Sequence, residues 1–228
     1  MYYYSKKLYF ISSICFLLSG LVRANGLLYS GFFLFTMTSQ RVCIFSRIKL
    51  LFYAMLVLIP FFSFQYLGTI YFCKKNPQPW CGSQLIYQYV QKKYWDNGWL
   101  AYYKVKQIPN FIIASPFLIL TVYGLYNYIS ADFIRFMTLG YKTENLKSPA
   151  MHSRLLPFFY LWAFMLFMVS TAMHVQVILR FFTCLPPLYW TMAEILKVES
   201  IKRMILLSYL LIWSLVGIVL FSNFYPPA

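Results

Sequence analysis

The sequence predicts an all-α integral membrane protein, a multi-pass helical bundle of about five transmembrane segments in one membrane domain over residues 1–228. Apolar residues make up 61% of the chain and charged residues only 11%, and the mean hydropathy is +0.62. Soluble domains average about 45–50% apolar and about 25% charged residues. The apolar residues also gather in runs of about 20, the length that a helix needs to cross a bilayer. These observations exclude an ordinary soluble domain.

The first apolar run extends from Leu8 to Met37 and is interrupted by Arg23, Asn25 and Gly26. We expect one broken helix, or two short helices that meet at this polar break. Broken helices occur at membrane depth where they line protein or a wet cavity. A secretory signal is the alternative, since a short basic stretch precedes the apolar core. The apolar sequence that resumes at Leu27 favours a membrane segment instead.

Four later apolar runs are uninterrupted and long enough to span a membrane. The four predicted spans are Leu50–Phe72, Ile108–Ile129, Leu155–Met173 and Ile205–Phe224.

Two substantial loops are predicted to face the same side of the membrane. One extends from Cys73 to Gln107 and the other from His174 to Met204. They lie on the same side because two spans separate them along the chain.

The formal net charge is +15, from 20 Lys and Arg against 5 Asp and Glu, so most basic side chains have no acidic partner. The positive-inside rule does not decide the orientation, because basic residues are numerous on both sides. Basic residues on a non-cytoplasmic face suggest a use such as holding lipid phosphates, each contributing about 1 kcal/mol. Nucleic acid is a poor partner, because the basic residues lie in short loops and form no continuous face.

The segment from Gln78 to Phe111 combines many Tyr and Trp residues with Lys pairs. This composition indicates a surface for an anionic, amphipathic ligand such as a lipid-linked phosphate sugar. The alternative is an aromatic belt at the bilayer boundary, formed by Trp80, Trp95 and Trp99. Residues 85–94 show a weak amphipathic pattern, as expected of a helix at the membrane surface.

The five cysteines show no metal-ligand spacing, and the two histidines are far apart in the chain, so we expect no metal site. Cys73 and Cys81 flank one loop. A disulfide between them is an open alternative if that loop faces an oxidising compartment.

Two groups of polar residues lie in or beside apolar segments. Arg23 and Asn25 are functional candidates because ionisable groups are costly there; the alternative is an arginine that snorkels to the interface. His174, Gln176 and Arg180 follow an apolar span and could bind a phosphate or sugar hydroxyls. The alternative is an interfacial cap on the span, which is the more common arrangement. On a helix, Gln176 and Arg180 would share a face.

Asp96 is the only acid in the aromatic segment. General-base catalysis commonly needs a positioned carboxylate or histidine, and no second carboxylate accompanies Asp96.

Four stretches together resemble a known family. PWCGSQLIYQYVQKKYWDNGWLAYYKVKQIPNFIIASP is similar to the lumenal-loop signature of the eukaryotic mannosyltransferase family that adds the second mannose to the GPI anchor precursor (GPI mannosyltransferase 2, the PIG-V type). GLVRANGLLYSGFF, MHVQVILRFFTCLPPLYW and SYLLIWSLVGIVLFSNFYPPA resemble three other segments of the family in the same order. The resemblance covers nearly the whole chain.

The resemblance implies a multi-pass protein of the endoplasmic reticulum membrane, with both substantial loops in the lumen. The implied donor is dolichyl-phosphate mannose, with no bound cofactor, and the implied acceptor is a GPI precursor. An accessory membrane subunit and membrane lipids are further implied partners. The resemblance also assigns substrate-binding roles to Arg23, Asn25, Trp80, Tyr94, Trp95, Gln107, Asn110, His174, Gln176 and Arg180.

The sequence departs from the family in one respect. The family carries a His-Trp-Asp motif whose Asp is the expected catalytic base, and this sequence lacks that motif. Asp96 is no substitute, because the residues around it resemble a later loop of the family, where relatives usually carry Asn after the Trp. The chain resembles the C-terminal half of the family, as a truncated isoform, a partial gene model or a split product, and we expect no turnover by the chain alone. A non-catalytic membrane subunit is the alternative, and an unrelated transporter or channel ranks last because few polar residues lie within the later spans.

Overall fold

A computed structural model describes residues 1–39, 42–75, 79–82, 85–141, 155–175 and 177–223. In these ranges the chain forms α-helices and short 3₁₀ segments without any β-strand, so the predicted all-α class is confirmed. The helices in these ranges are α1 Tyr2–Ser5, α2 Tyr9–Val22, α3 Ser30–Ser39, α4 Ile44–Lys75, α5 Ile86–Trp95, α6 Ile108–Ala131, α7 Phe133–Met137, α8 Leu156–Thr171, α9 Val177–Phe182, α10 Pro186–Lys197 and α11 Ile201–Ser222.

Helices α4, α6 and α11 are each long and apolar enough to cross a membrane. They correspond to three of the predicted spans, and α4 continues past the prediction at both ends. The other predicted membrane segments are shorter apolar helices: α2 has 14 residues and α8 has 16. At 1.5 Å per residue these extend about 21 and 24 Å, less than the ~30 Å of a hydrocarbon core.

The predicted polar break in the first apolar region is confirmed. Helix α2 ends at Val22, Arg23 adopts an extended conformation (φ −143°, ψ 136°), and a 3₁₀ helix from Ala24 to Tyr29 leads into α3. The turn brings Gly26 against Gly20, where a Cβ on Gly26 would lie 2.6 Å from the Gly20 Cα. Only glycine therefore fits at position 26 without moving backbone.

The chain divides into two compact units. Residues 1–97 and 131–161 form the first, and residues 98–130 and 162–228 form the second. The prediction of one membrane domain stays a prediction.

An aromatic cluster forms the core of the first unit. The Tyr4 hydroxyl donates to the Phe32 carbonyl at 3.0 Å, and the Phe32 ring contacts Phe16 and Phe158 at centroid distances of 5.5 and 4.9 Å. All of these rings are buried. They pack the N-terminal helices against the start of α8.

The second unit packs around a close approach at Gly124 of α6. A Cβ there would lie 2.4 Å from the Thr191 Oγ1 and 2.7 Å from the Trp162 ring, and Trp162 is fully buried. Helix α10, which the sequence interpretation treated as loop, supplies Thr191 and begins with two prolines at its first positions, where they are well tolerated.

Candidate functional site

Four polar and aromatic side chains meet in the second unit. The Asn110 Nδ2 donates to the Tyr102 hydroxyl at 2.9 Å and to the Gln107 Oε1 at 2.5 Å. The Tyr102 ring packs on the His174 ring, with centroids 4.3 Å apart. We call Tyr102, Gln107, Asn110 and His174 the Tyr102 cluster. It brings together three of the predicted site residues from two distant segments of the chain.

The loop that carries Tyr102 is attached to the end of α8. The Leu100 N–H donates to the Thr171 carbonyl at 2.6 Å, and the Tyr103 hydroxyl donates to the Ser170 carbonyl at 2.8 Å. The last carbonyls of a helix lack partners within the helix, so the loop supplies donors to them. This attachment holds the loop beside His174, which lies three residues beyond the end of α8.

The Tyr102 cluster can act through hydrogen bonds. Its groups are amides, a phenol and an imidazole, which suit sugar hydroxyls. Tyr102 is buried, and burial raises the pKa of its phenol, an effect that the hydrogen bond from Asn110 opposes. The hydroxyl is therefore neutral and an acceptor for Asn110. In the described ranges, no three His, Cys, Asp or Glu side chains come together as metal ligands.

Sequence reasoning did not single out Tyr102. It is one of many tyrosines in the aromatic segment, and the sequence does not set it apart from its neighbours. Its burial and its contacts with Asn110 and His174 distinguish it from Tyr103, which is exposed.

Arg180 lies on α9 and its side chain is exposed. Gln176 lies outside the described residues, and the predicted shared face of Gln176 and Arg180 stays a prediction. His174 precedes α9, which begins at Val177, so His174 and Arg180 do not lie on the same helix. A phosphate contact by Arg180 remains a hypothesis.

The first unit holds the other candidates. The structure contains the Cys73–Cys81 disulfide, with Cα atoms 5.8 Å apart, that the sequence left open. Next to it, the half-buried Trp80 ring contacts Phe72 and Tyr89 at centroid distances of 6.3 and 5.2 Å. The disulfide thus fixes Trp80 between the end of α4 and helix α5.

Helix α5 matches the predicted helix at residues 85–94. Tyr94 and Trp95 are exposed near its end. Lys93 Nζ donates to the Tyr89 hydroxyl at 2.7 Å and lies 5.8 Å from the Tyr94 ring centroid; this hydrogen bond raises the pKa of Lys93. The end of α5 therefore presents cationic and aromatic groups together.

Asp96 ends helix α5 in the left-handed conformation, with φ 49° and ψ 29°. Asp and Asn are the non-glycine residues that tolerate this region best. This gives Asp96 a structural role, and explains how Asn could stand at the same place.

Arg23 and Asn25 stand at the break between α2 and α3. Arg23 is exposed and Asn25 is half-buried. Exposure agrees with an arginine that reaches an interface and also with one that lines a wet cavity, so both interpretations stay open.

These features define the class of protein: a helical membrane protein with polar and aromatic surfaces beside its helix ends. A family profile described as Mannosyltransferase (PIG-V) matches residues 2–228, and the chain belongs to that family.

Curated relatives agree with the family assignment. The chain is 32% identical to the GPI mannosyltransferase 2 of Yarrowia lipolytica, over 92% of this chain and 52% of the relative. It is 32% identical to the GPI alpha-1,6-mannosyltransferase 2 of Mus musculus, over 82% of this chain and 47% of the relative. It is 29% identical to the GPI mannosyltransferase 2 of Schizosaccharomyces pombe, over 98% of this chain and 48% of the relative. The chain spans about half the length of these relatives. No solved structure matches the chain.

Proposed function

We propose that this chain takes part in transferring mannose from dolichyl-phosphate mannose to a GPI precursor at the endoplasmic reticulum membrane. The observation that carries the proposal is the family match over residues 2–228, together with relatives whose names specify GPI mannosyl transfer. The Tyr102 cluster supports it, because its phenol, carboxamide and imidazole groups can form hydrogen bonds with the hydroxyls of a sugar.

The proposed reaction is a displacement at the anomeric carbon. An acceptor hydroxyl oxygen forms the new bond to that carbon, the bond to the phosphate oxygen breaks, and dolichyl phosphate leaves. A carboxylate takes the hydroxyl proton. We assign the carboxylate to the part of the relatives that the chain does not match, and substrate binding to this chain.

The disulfide supports a lumenal position for the loop between α4 and α6. Disulfides persist in oxidising compartments such as the lumen of the endoplasmic reticulum. The residues for which we predict substrate binding in this loop and at the start of α6, Trp80, Tyr94, Trp95, Gln107 and Asn110, would then act on the lumenal side.

A chimera tests the proposed function. In Schizosaccharomyces pombe cells that lack GPI mannosyltransferase 2, this chain would replace the matching half of that relative. We expect the chimera to restore a GPI-anchored reporter at the cell surface and the chain alone to leave it absent. A chimera that is produced and inserted in the membrane but restores nothing would contradict the proposal. Full rescue by the chain alone would contradict the assignment of the carboxylate.

Arg180→Ala in the chimera tests the phosphate contact. An arginine can bind phosphate bidentately, so we expect mannosylation to fall at least about tenfold, as for the loss of one charge-assisted hydrogen bond. The matched control is Lys197→Ala, which removes an exposed cation paired with Glu194 and should leave mannosylation unchanged. Equal mannosylation by the Arg180→Ala and Lys197→Ala variants would exclude a phosphate contact by Arg180.

A further inference from the structure

Helix α2 and the segment that follows it lie antiparallel in the first unit. The Phe16 and Tyr29 rings contact each other with centroids 4.8 Å apart, and the Tyr9 and Phe33 rings with centroids 6.3 Å apart. Contacts nearer the start of α2 are therefore made by residues nearer the end of α3. The two helices form a hairpin with its turn at Arg23, rather than one helix that continues through a kink.

Helix α4 shows how deep the turn of this hairpin lies in the membrane. The Phe10 and Tyr53 rings are in contact at a centroid distance of 6.3 Å. Further along both helices, a Cβ on Gly20 would lie 3.4 Å from the Pro60 Cγ. Helix α2 therefore runs in the same direction as α4. Because Pro60 is near the middle of the predicted span Leu50–Phe72, the end of α2 lies within the depth of that span.

Both ends of the hairpin lie at the same end of α4. Helix α3 ends at Ser39 and α4 begins at Ile44, so the chain leaves the hairpin on the side of Cys43. The hairpin also starts there, because the hydroxyl oxygens of Tyr4 and Thr36 lie 2.6 Å apart in a hydrogen bond. A segment that enters and leaves a membrane on one side is a re-entrant hairpin.

Arg23 lies too deep for its side chain to reach the far interface. It follows Gly20 by nearly one helical turn, about 4.5 Å further along α2, which places it level with residue 63 of α4. The predicted end of the span at Phe72 is about 13 Å beyond that level. An extended arginine side chain, with six bonds of about 1.5 Å each, reaches about 7 Å. The guanidinium therefore stays within the membrane.

The surroundings of Arg23 at this depth point to water. Its main chain is extended (φ −143°, ψ 136°), and irregular backbone at membrane depth occurs only where it is buried in protein or lines a water-filled cavity. The Arg23 side chain is exposed, so the protein does not enclose it, and a charge that faces hydrocarbon is costly. Since the hairpin occupies the side of Cys43, water would enter from the side of Cys73.

The charge at the turn favours anions. The first acidic residue of the chain is Asp96, so neither the hairpin nor α4 brings a negative charge to Arg23. A cleft lined by one sign of charge raises the local concentration of ions of the opposite sign.

We propose that α2 and α3 form a re-entrant hairpin whose turn, at Arg23, lines an aqueous vestibule within the membrane. The vestibule opens on the side of Cys73 and attracts small hydrated anions. The proposal does not depend on mannosyl transfer, because access to the vestibule requires no reaction of a substrate and is measured on this chain.

Thiol reactivity in opened microsomes tests the vestibule. In a chain whose free cysteines (Cys15, Cys43 and Cys184) are replaced by Ser, Ala24→Cys places a thiol beside Arg23. The probes are two hydrophilic thiosulfonates, an anionic sulfonatoethyl reagent and a cationic trimethylammonium-ethyl reagent. We expect both to modify Ala24→Cys. The control at similar depth is Ile59→Cys, in place of an exposed apolar residue of α4, which should stay unmodified because it faces lipid.

Arg23→Gln in the Ala24→Cys chain tests the attraction of anions. Two unit charges about 6 Å apart in water change a local concentration about threefold. With each rate divided by that of a free thiol, Arg23→Gln should therefore lower the preference for the anionic over the cationic reagent about tenfold at low ionic strength. An unchanged preference would overturn the role of Arg23, and failure of both reagents to modify Ala24→Cys, or equal modification of Ile59→Cys, would overturn the vestibule.

Labelling of sealed microsomes tests the hairpin without changing its turn, and so applies even if Ala24→Cys fails to fold. The exposed Ser5 precedes α2, and Ser5→Cys should react with an impermeant reagent from the same side as Cys43. Ala24→Cys should react only from the opposite side. Reaction of Ser5→Cys and Cys43 from opposite sides would show a segment that crosses the membrane and would overturn the re-entrant hairpin.

Discussion

Asn110 joins the groups of the Tyr102 cluster. Its Nδ2 group donates to Tyr102 and to Gln107, while Tyr102 in turn packs on His174. These contacts join the loop before α6 and the first turn of α6 to the residues that follow α8. Asn110 thus links Gln107 directly, and His174 through Tyr102, within the cluster.

Asn110→Ala should destabilise the loop from Gly98 to Gln107. It removes both hydrogen bonds and leaves the hydroxyl of the buried Tyr102 and the half-buried carboxamide of Gln107 without this donor. We therefore expect the free energy of unfolding to fall by about 1–3 kcal/mol. Thermal unfolding of the purified chain in detergent measures the effect. Gln88→Ala, an exposed polar residue, is the control, and equal unfolding of both variants would show that the network contributes little.

Tyr102 should make this unit sensitive to alkaline pH. Burial raises the pKa of Tyr102 above its ordinary value of 10.0, with the Asn110 hydrogen bond acting in the opposite direction. The unfolded chain ionises at about pH 10 while the folded chain retains the proton, so this contribution is complete below pH 10. It is lost as the pH rises through the higher folded pKa.

Tyr102→Phe provides the comparison for this pH dependence. We expect the stability of the parent chain to fall relative to the variant as the pH rises from 9 to above 10, measured by unfolding at a series of pH values. Parallel curves for the two proteins would contradict a buried, neutral phenol.

Helix packing in the second unit depends on the absence of a side chain at Gly124. A Cβ would meet Thr191 of α10 and Trp162 of α8, and neither can move freely because both are buried. Glycine thus sets the distance at which three helices meet.

Gly124→Ala should separate these helices and lower stability by about 1–3 kcal/mol, the usual cost of an overpacked core. Gly217→Ala is a matched control in another apolar helix, because a Cβ there has no atom within 4 Å. That control should be neutral or stabilising by up to about 1 kcal/mol, since alanine favours helix more than glycine does. Thermal unfolding of both variants in detergent measures the change in stability. A Gly124→Ala protein as stable as the parent chain would contradict the close approach at this position.

The two ends of α4 carry cysteines that report the orientation of the whole molecule. Cys43 is exposed just before the helix, and Cys73 is bonded to Cys81 near its end. A helix that crosses the membrane places them on opposite sides. The disulfide favours the oxidising side for Cys73 and Cys81, a choice that the distribution of basic residues left undecided.

Cysteine labelling should confirm this orientation. In a variant with Cys15 and Cys184 replaced by Ser, we expect a membrane-impermeant maleimide to label Cys43 in intact microsomes. Cys73 and Cys81 should become reactive only after permeabilisation and reduction. Labelling of either in sealed microsomes treated with a permeant reductant would reverse the assignment.

Local features of the chain were predictable. The spans at α4, α6 and α11 follow from runs of apolar residues, and the break after α2 follows from Arg23, Asn25 and Gly26, because hydropathy and helix interruption depend on neighbouring residues. The ends of α4 and the helices α9 and α10 were not foreseen, since continuation of a helix beyond the hydrocarbon and short helices in loops leave no strong periodic signal.

The sequence by itself determined an all-α membrane protein and, through its motifs, the family to which the chain belongs. Only the tertiary structure decided that Tyr102 joins Gln107, Asn110 and His174, that Cys73 bonds to Cys81, and that α2 and α3 lie antiparallel beside α4. These contacts bring together residues that belong to different helices and loops. They depend on how helices pack at positions such as Gly124 and Gly26, where the absence of a side chain sets the distance, and local composition does not encode which surfaces will meet.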